Sequence, residues 1–125
     1  ADDKGLWVQT FMDGKTRYFD ITNPHKPVQV YEHVIGSQVN MISQSWDGKR
    51  AYFTTSLLGS WDKTGKDDEQ WFKLYHWNGK KLDHQFTIDF YALKLGRAHQ
   101  MRFGAYSLYS QKPNSSDTML SQVAK

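Results

Sequence analysis

Turn chemistry constrains this chain more than any other feature. Asp13-Gly14, Asp47-Gly48 and Asn78-Gly79 each stand between runs of β-branched and aromatic residues. Such pairs supply the positive φ of a tight hairpin, so three antiparallel hairpins are written into the sequence. No stretch holds the apolar i, i+3, i+4, i+7 stripe of a helix over about 11 residues. With aromatic residues at 15% of the chain, the expected class is all-β.

The runs predict strands over Leu6–Phe11, Thr16–Asp20, Val28–Ile35, Val39–Gln44, Ala51–Leu57, Trp71–Trp77 and Leu82–Phe90. Asn23-Pro24 and Lys26-Pro27 break the chain after the second, because proline lacks a ladder donor and restricts its predecessor. The polar stretch 59–69 reads as a loop insertion. His99-Gln100-Met101-Arg102-Phe103 alternates like one more strand. An internal echo links Asp13-Gly14-Lys15-x-x-Tyr18-Phe19 to Asp47-Gly48-Lys49-x-x-Tyr52-Phe53. It is either a blade repeat or a common hairpin turn used twice, and the strand count favours blades of about four strands each.

The architecture expected is therefore about two and a half blades of an incomplete β-propeller. The first three strands lack an innermost partner, the next four form a whole blade, and His99 opens the inner strand of a third. Residues 1–109 are expected to form these blades and residues 110–125 a polar, flexible tail. Half-blades expose ladder groups and apolar faces, so the missing blades are expected on another chain or another copy. The N-terminus then looks like a cut point or a subunit boundary, and the chain alone is expected to aggregate.

Other features narrow the function. Lys and Arg number 16 against 13 Asp and Glu, a formal charge of 16 − 13 = +3, and the basic residues are scattered apart from Lys49-Arg50 and Lys80-Lys81. That pattern argues against a dedicated nucleic-acid partner. Cysteine is absent, which removes disulfides, thiolate metal sites and a cysteine nucleophile from this chain. No apolar run approaches the roughly 18 residues of a membrane span, and the first residues carry no leader pattern, so a soluble protein is expected.

Four stretches carry a resemblance. Thr16-Arg17-Tyr18-Phe19-Asp20-Ile21-Thr22-Asn23-Pro24 resembles the "R-x-Y-D-I-S-D-P" strand and turn of the selenium-binding protein family, which includes methanethiol oxidases. Residues 41–57, from Met41-Ile42-Ser43 through Asp47-Gly48-Lys49-Arg50 to Ser56-Leu57, with Trp61-Asp62 behind them, are similar to its "Q-M-I-x-L-S-x-D-G-K-R-x-Y-x-T-x-S-L" run. Thr87-Ile88-Asp89-Phe90 and Ala98-His99-Gln100-Met101-Arg102 resemble its C-terminal "V-D-F" and "A-H-E-x-R". The matches keep family order and cover the C-terminal part only. Where family members continue with Gly-Gly-Asp-Cys, this chain has Gly104-Ala105-Tyr106-Ser107-Leu108, which leaves no C-terminal thiol.

The histidines are the borderline-soft metal ligands available. On the blade reading His99 sits at the channel mouth, as a ligand or as a hydrogen-bonding wall residue. The resemblance implies copper there, with the remaining ligands outside this chain. Arg97 and Arg102 flank it, either tuning it and holding an anion or forming structural ion pairs. A two-residue loop at Asn78-Gly79 would set Trp77 against Lys80 and Lys73 against His84, placing His76 and His84 on opposite faces. His25 and His33 read as solvated. Asp62, Asp67, Asp68 and Glu69 read as a solvated loop rather than a calcium site, and the tryptophans as packing rather than a sugar groove.

The expected function follows from the resemblance: the C-terminal portion of a copper-dependent oxidase that takes a small thiol, methanethiol, to formaldehyde, hydrogen sulfide and hydrogen peroxide. The alternative is a non-catalytic propeller scaffold or a module binding selenium or protein. Bacterial relatives suggest the periplasm, with the cytoplasm as the other compartment.

Overall fold

A computed structural model describes residues 3–55 and 69–101. They form seven antiparallel strands: β1 (Gly5–Thr10), β2 (Lys15–Asp20), β3 (Val28–Val34), β4 (Val39–Gln44), β5 (Arg50–Thr55), β6 (Trp71–Trp77) and β7 (Leu82–Asp89). The seven strands predicted between Leu6 and Phe90 are present, to within a residue or so at those ends that lie within the described residues. The strands make two meanders, β1-β2-β3 and β4-β5-β6-β7. No helix occurs among the described residues.

The Asp-Gly turns behave as their chemistry requires. Gly14 and Gly48 take φ of 65° and 70°. Beside them Asp13 and Asp47 accept the backbone amides of Lys15 (3.2 Å) and Lys49 (3.0 Å). The echo is a repeated turn and not a repeated blade position. Tyr18 packs between the two sheets against Trp7 and Trp77, while Tyr52 lies on the opposite face of its sheet against Phe72. Phe53 is fully buried, whereas Phe19 pairs with the exposed Leu6 on the outer face of the first sheet. One residue of parity separates the two strands, and with a period of two that reverses every side chain.

The core lies between the sheets. Val39, Ala51, Phe53, Trp71, Tyr75, Trp77 and Leu82 are buried with Ile35, and Trp7, Tyr18, Tyr31 and Ile42 pack on them. Trp7, Tyr18, Tyr31 and Trp77 form a continuous aromatic contact set with centroids 4.6–6.3 Å apart. These tryptophans therefore pack blade on blade, as expected. Among the described tryptophans Trp46 is the exception, 63% exposed at the β4–β5 turn, and Trp61 lies outside the described residues. Two polar links cross the interface: the Leu82 amide donates to the Tyr31 hydroxyl (3.0 Å), and Lys73 Nζ donates to the Ile35 carbonyl (2.6 Å).

Two readings need correction. The β6–β7 loop has four residues, 78–81, because Trp77 opposes Leu82 and not Lys80, and Lys73 opposes Thr87 and not His84. The Asn78 side chain causes this by accepting both the Lys80 and Lys81 amides (2.9 and 3.0 Å), which holds a wider turn than two residues. His76 and His84 still face oppositely, since they pair with Asp83 and Tyr75 respectively. His33 is not solvated: it stacks on Tyr31 and meets Tyr75 edge-on at 5.7 Å, and burial lowers its pKa from the ordinary 6.5.

Candidate functional site

The candidate residues gather where the connection between the sheets meets the ends of β4, β5 and β6. Segment 96–101 lies alongside. It forms no strand, contrary to the inner-strand expectation for His99–Phe103, of which 102 and 103 lie outside the described residues. Its carbonyls are taken by side chains: Thr54 Oγ1 donates to the His99 carbonyl (2.5 Å) and Ser43 Oγ to that of Met101. A ladder needs backbone partners on a neighbouring strand; hydroxyl contacts dock the segment on the outer face of the second sheet without making it a strand.

His99 is thus fixed by its backbone, and the residue is exposed. Arg97 is half-buried. Its Nη1 donates to Gln38 Oε1 (3.5 Å) and the Glu69 carbonyl (3.4 Å), and burial lowers its pKa. Arg102 lies outside the described residues, as do Asp62, Asp67, Asp68 and residues 110–125. Glu69 is described, and its carboxylate accepts from Trp71 Nε1.

Sequence reasoning missed Lys73, Gln38 and Thr55. Lys73 lies over the Trp71 ring at 4.2 Å with its ammonium on Ile35, and its pKa falls because burial outweighs the nearby Glu69. The signal was present: Trp71, Tyr75 and Trp77 occupy alternate positions, so Lys73 shares their buried face. Gly36 is required beside it, because a Cβ there would lie 2.9 Å from Trp71 Cζ2 and 3.0 Å from Lys73 Nζ. Gln38 and Thr55 left no such pattern.

Among the described residues no group of three or more His, Asp or Glu side chains is placed to hold a metal ion. One exposed imidazole is not a copper site, so the described residues do not fit copper by themselves. A cleft of about 190 Å³ lies nearby, lined by Met12, Asp13, Gly36, Ser37 and Gln38 among others. No helix of the described residues is long and apolar enough to cross a membrane.

Two meanders stacked face to face, each with apolar side chains left on its outer face, define part of a β-propeller. No family profile matches the chain. It is 66% identical over 110 residues to a methanethiol oxidase of Ruegeria pomeroyi, covering 88% of this chain and 25% of that protein. To a methanethiol oxidase of Hyphomicrobium it is 58% identical over 84% of this chain and 24% of the other. Mouse selenium-binding protein 2 is 31% identical over 82% and 30%. The X-ray structure of a hypothetical selenium-binding protein from Sulfolobus tokodaii superposes with a TM-score of 0.62 at 29% identity, over 79% of this chain and 26% of that one. The chain therefore spans about a quarter of the length of the relatives it matches. Over most of its own length it is homologous to a C-terminal part of the methanethiol oxidases and selenium-binding proteins.

Proposed function

We propose that this chain is the C-terminal portion of a thiol oxidase acting on methanethiol. The observation that carries the reading is 66% identity over 88% of the chain to a protein named for that activity. The reaction balances when one methanethiol, one dioxygen and one water give formaldehyde, hydrogen sulfide and hydrogen peroxide. The carbon is oxidised by two electrons and dioxygen takes them up. Copper, when bound, would supply the one-electron steps between thiol and dioxygen.

This chain's own contribution is to place His99. Thr54 and Ser43 hold the backbone on either side of Gln100 and leave the imidazole exposed. Remaining ligands would come from outside the described residues. A periplasmic location belongs to the same reading and is checked by cell fractionation. The test is metal analysis of the intact protein together with methanethiol consumption, in the native form and in His99→Ala. Loss of copper and of turnover in the variant is expected. Turnover unchanged in His99→Ala removes His99 from the site, and no copper and no consumption in the native protein remove the whole reading. The second reading, a module that binds selenium without turnover, is favoured by the 31% identity to selenium-binding protein 2 and would survive that last outcome.

A further inference from the structure

We propose that Gln38, Thr55 and Arg97 form a binding site for a small oxyanion of the carboxylate, sulfite or sulfate class. Gln38 is 1% exposed and Thr55 is fully buried. Their Gln38 Nε2 and Thr55 Oγ1 atoms have no hydrogen-bond partner among the described residues. Buried donors in native proteins are almost always satisfied, so two orphans at one place point to something that satisfies them. The amide orientation is set: Arg97 can only donate, so its contact with Gln38 uses the carbonyl oxygen and leaves the NH2 as the orphan. Val39, the next residue, opposes Thr55 across the β4–β5 ladder, which brings the hydroxyl to the same strand ends.

The set is rich in donors. An amide NH2, a hydroxyl and a guanidinium complement a ligand that presents several acceptor oxygens and negative charge. Gln38 also adopts φ of 57°, a left-handed conformation uncommon for a residue of its type and one that recurs at binding sites. Gln38 also lines the 190 Å³ cleft beside Gly36 and Ser37. Asp13, in the same cleft, is held by Arg17 (2.5 Å) and does not oppose an anion as an unpaired charge.

The test does not depend on thiol oxidation. Sulfate and formate are titrated calorimetrically into the intact protein, with chloride at matched ionic strength as control. Saturable binding that chloride does not reproduce is expected. It should weaken by about tenfold in Gln38→Glu, which replaces a donor by a like charge, and by a few-fold in the isosteric Thr55→Val. Circular dichroism confirms that each variant folds, and Thr55→Val decides alone if Gln38→Glu does not. Absence of saturable binding, or affinity unchanged in the folded variants, overturns the proposal.

Discussion

The two sheets reach order by different means. In β4–β7 the face toward the neighbouring sheet is dry: Ala51, Phe53, Trp71, Tyr75, Trp77 and Leu82 are all buried. In β1–β3 only Thr16 of the strand residues is fully buried, and Leu6, Val28, Val30 and Val34 are exposed. The smaller sheet carries ion pairs on its outer side, with Lys15–Glu32 at 2.7 Å and Arg17 bridging Asp13 and Glu32. Those pairs are too accessible to contribute much. A three-stranded sheet of this kind keeps its place because Trp7, Tyr18 and Tyr31 insert into the core of the larger one.

That dependence can be broken at its centre. Phe53→Ala removes the largest fully buried side chain and should destabilise the protein by about 3–5 kcal/mol, read by denaturant unfolding. Both sheets should lose structure together. Separate transitions would mean that the smaller sheet stands by itself. Gly14→Ala comes next, since its Cβ would lie 2.6 Å from the Gly36 carbonyl oxygen at φ of +65°. A cost of about 1–3 kcal/mol is expected, and a neutral result would remove the turn as a fixed point of the smaller sheet.

Tyr31→Phe tests the polar link across the interface. It strands the Leu82 amide and should cost about 1–2 kcal/mol with the aromatic packing intact. His33 gives a pH probe of the same interface. Its pKa is lowered by burial, so the unfolded chain takes up a proton first as pH falls below 6.5. The contribution from neutral His33 is present above that pH and lost toward its lower folded value. His33→Gln should flatten the stability profile there, and an unchanged profile would assign the slope to other groups. Glu32→Gln should have the smallest effect, a thermal midpoint indistinguishable from the parent. A large shift would show that charge, and not borrowed packing, holds the smaller sheet.

Periodicity made the strands legible. The runs from Leu6 to Phe90 alternate or cluster β-branched and aromatic residues between Gly- and Pro-marked turns, and these are local preferences that the folded chain keeps. The motifs around Met41–Leu57 and Ala98–Met101 made the family resemblance legible too. The turn at Asn78 was not, because a single side chain accepting two amides widened the loop and changed the register. Segment 96–101 looked like a strand for the same reason that strands do, yet its carbonyls found Thr54 and Ser43 instead of a ladder.

The sequence by itself determined the all-β class, seven strands with hairpins at the three Gly-marked turns, and a face parity that put Lys73 among tryptophans. Tertiary structure alone decided which faces meet. It placed His33 between Tyr31 and Tyr75, turned Arg97 toward Gln38, and buried Gln38 Nε2 and Thr55 Oγ1 without partners among the described residues. The physical reason is range. Turn and strand preferences act over a few residues, whereas burial, desolvation and polar satisfaction depend on which distant segment arrives opposite, such as Arg97 against Gln38, 59 positions apart.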